Sequence, residues 1–145
     1  MDHNKADFQG LVTVFRMIRR SLNYFAKKYD LSLTEMGIVF DTFFHEKITV
    51  TELAASQGIP KSTVSRLVEN MVQRGLLNRV RPDDNRRIVQ ITITDNFRAE
   101  LDELRNDEGF QKTIEQDIPG EKGRQAIAKL GELLELLQDQ DKTQP

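Results

Sequence analysis

The tightest constraint on this chain lies between residues 48 and 94, where the apolar pattern changes period twice. Ile48-Thr49-Val50 is too short for a helix and predicts a strand stub. Thr49-Val50-Thr51-Glu52 has capping-box spacing, a hydroxyl followed three residues later by a glutamate. It opens a short helix, Thr51 to Gln57, stopped by Gly58. Ile59-Pro60 leads into a second helix, from about 60–62 to Arg74, because proline is tolerated in a first helical turn. Its apolar residues are Val64, Leu67, Val68 and Met71, and Gly75 stands where a left-handed cap belongs. Leu76 to Arg81 reads as a strand, and Pro82-Asp83-Asp84-Asn85 is turn chemistry. Ile88 to Thr94 has β-branched residues at six of seven positions and predicts a second strand. Strand stub, short helix, tight turn, helix and hairpin make a winged helix-turn-helix.

The flanks are helical. Phe8, Leu11, Val12, Phe15, Ile18, Leu22 and Phe25 recur at helical spacing across 6–29, with a second apolar edge at Val14 and Met17. Asp30 and Leu31 break that pattern. Ser32-Leu33-Thr34-Glu35 is another capping-box match, and the helix after it sets Leu33, Met36, Phe40, Phe43 and Phe44 on one side. Beyond the hairpin, Phe97, Leu101 and Leu104 start an amphipathic stretch that can run on through Phe110, Ile114 and Ile118. Asp107-Glu108-Gly109 is a candidate interruption. Pro119-Gly120 is a turn. A helix over 121–138 then carries Ala126, Ile127, Leu130, Leu133, Leu134 and Leu137, ahead of a polar tail from Asp139 that is expected to be disordered. The expected fold is mainly α with a small β-hairpin. It forms a single domain over 1–145, with a winged helix-turn-helix at 31–94 and outer helices at 1–30 and 95–140. A helix apolar on more than one edge is deeply buried or packs on a partner chain. The outer helices, with Phe8, Leu11, Phe15, Ile127, Leu130, Leu134 and Leu137, are therefore expected to form a dimer interface. A monomer that folds them back on its own winged helix is the alternative.

Composition narrows the function. The 145 residues suit one domain and suffice to bury a core without a staple. There are no cysteines, which removes thiolate catalysis, zinc–cysteine sites and iron–sulfur clusters. His3 and His45 are far apart, so neither a catalytic nor a metal-binding histidine cluster is expected. No phosphate-binding glycine signature is present, and Gly120 and Gly123 do not make one. Asp102-Glu103 and Asp107-Glu108 read as solvated helix faces. An enzyme is not expected, and neither is a cofactor. No apolar run approaches the length of a membrane span, and no signal pattern opens the chain. A cytoplasmic location is expected.

Charge points toward a polyanion. The net charge is −2. Residues 61–87 nevertheless hold seven basic side chains (Lys61, Arg66, Arg74, Arg79, Arg81, Arg86, Arg87) against three acidic ones, while 95–145 is net −6. A positive segment inside an acidic chain is the footprint of a polyanion-binding face, and a solvated surface fits the charge equally well. On a helical wheel, the face of 61–74 opposite Val64, Leu67, Val68 and Met71 holds Ser62, Arg66, Glu69 and Gln73, flanked by Thr63, Ser65 and Asn70. Hydroxyls, amides and arginine reach phosphates and base edges. Glu69 is unfavourable beside phosphate, and either points away or orients a neighbouring arginine. Arg79, Arg81, Arg86 and Arg87 crowd the hairpin. A polyanion explains them better than the weak exposed pairs they could make with Asp83 and Asp84.

These residues resemble the MarR family of bacterial transcription regulators. Ile48-Thr49-Val50-Thr51-Glu52-Leu53-Ala54 looks like the family's opening of the helix-turn-helix. Lys61-Ser62-Thr63-Val64-Ser65-Arg66-Leu67-Val68 is very close to its recognition helix, and Arg74-Gly75-Leu76-Leu77 matches the helix exit. The family's wing carries an aspartate, any residue, an arginine, five residues, then leucine–threonine. Aligned on Ile93-Thr94, the arginine falls on Arg87 and the aspartate on Asn85, unless Asp84 takes the acidic role one place earlier. A usual lysine–glycine after the wing is Asn96-Phe97 here. The resemblance implies a homodimer with interlocking terminal helices on a pseudopalindromic double-stranded DNA operator. It also implies a small-molecule effector, whose pocket the sequence does not place, and a regulator that is more often a repressor. The DNA-contacting set it implies, with the wheel, is Lys61, Ser62, Thr63, Ser65, Arg66, Asn70, Arg81, Asp84, Asn85, Arg86 and Arg87. The rival reading is a winged helix that docks another protein.

Overall fold

A computed structural model describes residues 3–116 together with Gly120, Glu121, Gln125, Ala128, Glu132 and Leu136. The order is α1 (His3–Tyr29), α2 (Leu33–His45), β1 (Ile48–Thr49), α3 (Val50–Gln57), α4 (Lys61–Gln73), β2 (Leu77–Val80), β3 (Gln90–Ile93), α5 (Asp95–Glu103), a 3₁₀ turn (Leu104–Asn106) and α6 (Glu108–Glu115). The chain divides into two compact units. One comprises Met1–Tyr24 with Glu108–Pro145, and the other is Phe25–Asp107.

The Phe25–Asp107 unit holds the winged helix. Ser32 caps α2 with both capping-box bonds: its hydroxyl accepts from the Glu35 N–H at 3.2 Å, and the Glu35 carboxylate accepts from the Ser32 N–H at 2.8 Å. The buried face of α2 differs from the expected one. Met36, Ile38, Val39 and Thr42 are buried, whereas Leu33 and Phe44 are 71% and 68% exposed. This helix is apolar around most of its circumference, so periodicity alone cannot choose its inner side; contacts with α3, β1 and β3 do. Thr42 tolerates full burial because its hydroxyl donates to the Ile38 carbonyl at 2.7 Å. A γ-turn at Glu46 (φ 55°), closed by Lys47 N–H to His45 O, reverses the chain into β1.

The second helix of this unit starts one residue earlier than its spacing suggests, at Val50, and Thr49 is its cap. Only half the expected box forms there. Thr49 Oγ1 accepts from the Glu52 N–H at 3.1 Å, while the Glu52 carboxylate takes the Thr49 hydroxyl at 2.9 Å. Gly58 ends α3 in the left-handed region (φ 65°), as its position predicts. Pro60 is the N-cap of α4. At the far end Gly75 (φ 75°) closes a Schellman turn, with Gly75 N–H on Val72 O and Leu76 N–H on Met71 O, both 3.0 Å.

The sheet is antiparallel in the order β1-β3-β2. Ile48 faces Ile91, and Leu77, Arg79 and Val80 face Ile93, Ile91 and Gln90. The last strand is shorter than predicted, because Ile88 and Val89 lie outside it. Continuing the register would set Ile88 opposite Pro82, which has no N–H to donate, so the ladder stops at Val80–Gln90. Thr94, beyond the strand, ties the wing to both neighbouring helices. Its hydroxyl donates to Gly75 O at 2.8 Å and accepts from Phe97 N–H at 3.2 Å, capping α5. Leu53, Val64, Val68, Met71, Leu77, Ile91 and Phe97 form the core, with Phe25 and Tyr29 from the end of α1.

In the other unit, Tyr24 and Phe110 rings stand 6.4 Å apart, and the Ser21 and Thr113 hydroxyls share a hydrogen bond of 3.0 Å. The predicted interruption falls at Asp107, which is extended. Gly109 is helical instead, and a Cβ there would overlap the Tyr24 ring. Phe8, Leu11 and Phe15 are 66%, 66% and 62% exposed. Gly120 has φ 71°, and Glu121, Gln125, Ala128, Glu132 and Leu136 are helical. Ile127, Leu130, Leu134 and Leu137 lie outside the described residues, as do Ile118, Pro119 and the tail from Asp139.

Candidate nucleic-acid interface

Helix α4 presents its polar face as the wheel predicts. Val64, Val68 and Met71 are buried, and Leu67 is half-buried. Lys61, Ser62, Arg66, Glu69, Asn70 and Gln73 are exposed, and Thr63 and Ser65 are half-exposed. The Schellman turn and the Thr94 bonds fix where this helix stops and where the wing begins.

Beside it, β2 alternates about the sheet, so Leu77 and Arg79 share one face. Leu77 enters the core, and Arg79, two residues on, reaches α4. Arg79 Nη1 donates to Glu69 Oε2, and Nη2 donates to the Ser65 carbonyl at 3.2 Å. Gln73 Nε2 donates to the other Glu69 oxygen at 3.3 Å. Of the two possibilities for Glu69, the structure takes the second: it holds an arginine. A second tie runs from the exit of α4, where Arg74 Nη2 donates to the Tyr29 carbonyl at 2.5 Å. The sequence marks Arg74 as a charge and as part of the helix exit, not as a tie to Tyr29. The signal for the Arg79 clamp was the one-turn spacing of Ser65 and Glu69, but the strand lying across that turn is a tertiary fact.

The wing arginines have unequal surroundings. Arg86 pairs with Asp83 at 3.5 Å, both well exposed. Arg81 Nη1 donates to the Arg86 carbonyl at 2.8 Å and stitches the loop closed. Asn85 Oδ1 accepts from the Arg87 N–H at 3.3 Å, a turn in which an aspartate oxygen serves equally. The side chains of Lys61, Arg66 and Arg87 have no carboxylate partner among the described residues. Asp84 is exposed, outside the ion pairs. The structure thus gathers two groups, Lys61 to Asn70 on one helix face and Arg81 to Arg87 on the adjoining wing. Elsewhere in the same unit, Lys28, Tyr29, Ala99, Glu100, Glu103, Asn106 and Asp107 line a cleft of about 410 Å³.

The arrangement defines a winged helix-turn-helix. The MarR family model matches residues 29–88, which spans α2 through the wing loop. The HTH-type transcriptional regulator TcaR of Staphylococcus aureus (strain Newman) is 29% identical over 144 residues, 98% of this chain and 93% of that protein. SarZ of Staphylococcus haemolyticus is 27% identical over 93 residues, 64% of this chain and 63% of that one. Among solved structures, the transcriptional regulator Tm0710 of Thermotoga maritima aligns with a TM-score of 0.70 at 21% identity, covering 97% of this chain and 99% of that one. The MepR–DNA complex of S. aureus aligns at 0.57 and 19%, covering 86% and 98%. Residues 29–88 thus match the MarR family of regulators, and the fold of the chain is that of the solved winged-helix regulators it aligns with.

Proposed function

We propose that the chain is a sequence-specific, double-stranded DNA-binding regulator that acts as a homodimer on a pseudopalindromic operator. The observation that carries this reading is the exposed hydrogen-bonding face of α4 beside a wing whose Arg87 has no carboxylate partner among the described residues. Together they form a surface shaped and charged for a groove and its phosphates. Lys61, Ser62, Thr63, Ser65, Arg66 and Asn70 belong to the groove helix, with Arg66 as its base-reading residue. Arg81, Asp84, Asn85, Arg86 and Arg87 belong to the wing. Region 31–94 binds DNA, and 1–30 with 95–140 dimerise. The exposed row Phe8, Leu11 and Phe15 supports a second copy as the partner of the outer helices. A solved neighbour in complex with DNA adds support through the shared fold.

Repression released by a small molecule completes the proposal, and the cleft beside Tyr29 has a volume in the range that such ligands occupy. A cytoplasmic site of action follows from the reading, and no described helix is long and apolar enough to cross a membrane.

Salt titration tests the DNA reading. A dimer neutralising roughly 6–10 phosphates loses about 10³–10⁵ in affinity between about 50 and 200 mM salt. A flat response would favour a protein-docking winged helix instead. Arg66→Ala is expected to cost about 1–3 kcal/mol on a selected operator and to relax preference at one position per half-site.

A further inference from the structure

Glu69 is the only acidic residue in α4, and it stands on the face proposed to meet DNA. A bare carboxylate there would repel phosphate and lower affinity for every sequence alike. The structure shows that it is not bare. Both of its oxygens are engaged, one by Gln73 and one by Arg79, and the second arm of Arg79 reaches the Ser65 carbonyl one turn earlier. Ser65 and Glu69 are an i, i+4 pair, so the planar guanidinium fork spans one turn of the helix, a geometry that lysine cannot copy. The clamp joins β2 of the wing to α4. Arg79 and Glu69 are both partly exposed, with side-chain accessibilities of 38% and 47%. Exposed pairs contribute little to stability. What the clamp does is fix the wing against the helix and keep one arginine from reaching outward.

We propose that the Glu69–Arg79 clamp sets specificity by withholding Arg79 from phosphate. This inference rests on the DNA reading above. A freed arginine on the wing strand would add a phosphate contact, and phosphate contacts reward every duplex, cognate or not. Glu69 removes that sequence-blind contribution, while Arg79 cancels the repulsion that Glu69 would otherwise exert. Discrimination is a difference of affinities, and weakening the non-specific complex widens it as surely as strengthening the specific one. Glu69 and Arg79 are thus positioning residues, whereas Arg66 and Arg87 are assigned to contact DNA directly.

The test compares wild type, Glu69→Ala, Arg79→Gln and the double variant. Each is titrated with a duplex selected by the wild type from a random pool and with a scrambled duplex of equal length. Glu69→Ala is expected to raise scrambled-duplex affinity about five- to tenfold per bound subunit near 0.1 M salt and to steepen the salt slope by about 0.9 per bound subunit, one phosphate's worth each. Selected-duplex affinity should change less, so the ratio of the two falls. With Arg79→Gln in place, adding Glu69→Ala should leave the slope unchanged. If Glu69→Ala raises affinity equally with and without Arg79, Glu69 acts only by its own charge and the proposal is overturned. An unchanged ratio in a Glu69→Ala protein whose circular dichroism and melting match wild type also overturns it. A wild type that retains no duplex at any salt overturns the DNA reading along with it.

Discussion

The two compact units of this chain use their apolar residues in opposite ways. In Phe25–Asp107 a contiguous set of large apolar side chains is buried, from Phe25 and Met36 through Met71 to Phe97, although Leu33 and Phe44 stay exposed. On the first half of α1, in the other unit, Phe8, Leu11 and Phe15 follow the same helical spacing, yet each is more than half exposed. The pattern is the same, and its fate differs. The winged unit has a sheet edge, two short helices and a hairpin within one stretch of chain, so it closes its own core. Such exposed rows mark a surface awaiting a partner, which is why a second copy is assigned there.

The largest expected effect breaks that assignment. Leu11→Glu with Phe15→Glu should convert the dimer to monomers in sedimentation while leaving the winged unit folded. Operator affinity should fall by about 10²–10⁴, since two half-sites then no longer act as one ligand. Half-site affinity should change little. A wild type that sediments as a monomer at micromolar concentration would remove the idea. The opposite contrast comes from Leu53, which is fully buried in α3. Leu53→Ala should lower unfolding free energy by about 2–5 kcal/mol in denaturant titration. Leu11→Ala, on the exposed row, should lower it far less in a protein dilute enough to be monomeric.

Within the winged unit, the wing sharpens the comparison at the scale of single side chains. Asn85 holds the Arg87 N–H, and Arg86 is drawn to Asp83. Arg87→Ala is therefore expected to weaken operator and random duplex together by about 1–2 kcal/mol and to lessen the salt slope by about 0.9 per wing. Arg86→Ala should be milder than Arg87→Ala on both duplexes. If Arg86→Ala is the severe change, the wing register is off by one and Asp84 fills the acidic position.

Legibility follows the same division. Local chemistry was readable: the Ser32–Glu35 box, Gly58 and Gly75 at helix ends, and the split of α4 into buried Val64, Val68 and Met71 against a polar face. Each rests on interactions within a few residues. What depended on distant partners was not. The wheel of α2 could not show that Ile38 and Val39 face inward while Leu33 and Phe44 do not, because the choice belongs to β1, β3 and α3. β-branching at Ile88 and Val89 predicted a strand that Pro82, across the hairpin, cuts short. The sequence offers Glu69 as a residue that points away or orients an arginine, but only the crossing of β2 over α4 names Arg79. The Arg74 bond to the Tyr29 carbonyl left no trace in sequence, since any exposed-looking arginine can reach a backbone oxygen.

The smallest expected effect concerns a buried side-chain polar atom of the winged unit's core that lacks a partner among the described residues. Tyr29 is buried, with its ring 4.8 Å from Phe25 and 5.2 Å from Phe97, edge-on to the latter. Its hydroxyl is buried without a hydrogen-bond partner among the described residues. Burial pushes the phenol above its ordinary value; Glu100 and Asp107 add to the rise and Lys28 opposes it. Tyr29→Phe keeps the ring contacts and deletes a desolvated group. Its unfolding free energy at neutral pH should be unchanged, or higher by up to about 1–2 kcal/mol. Alkaline titration supplies a second readout. A folded-state value above the unfolded one means that the native protein holds the phenol proton more tightly. That stabilisation is complete below about pH 10, the unfolded value, and is lost as pH rises through the folded one. Wild type should therefore lose stability faster than Tyr29→Phe above about pH 10. A clear loss of stability in Tyr29→Phe at neutral pH would show that the hydroxyl has a partner. The core of the winged unit would then be as fully satisfied in its polar groups as in its apolar ones.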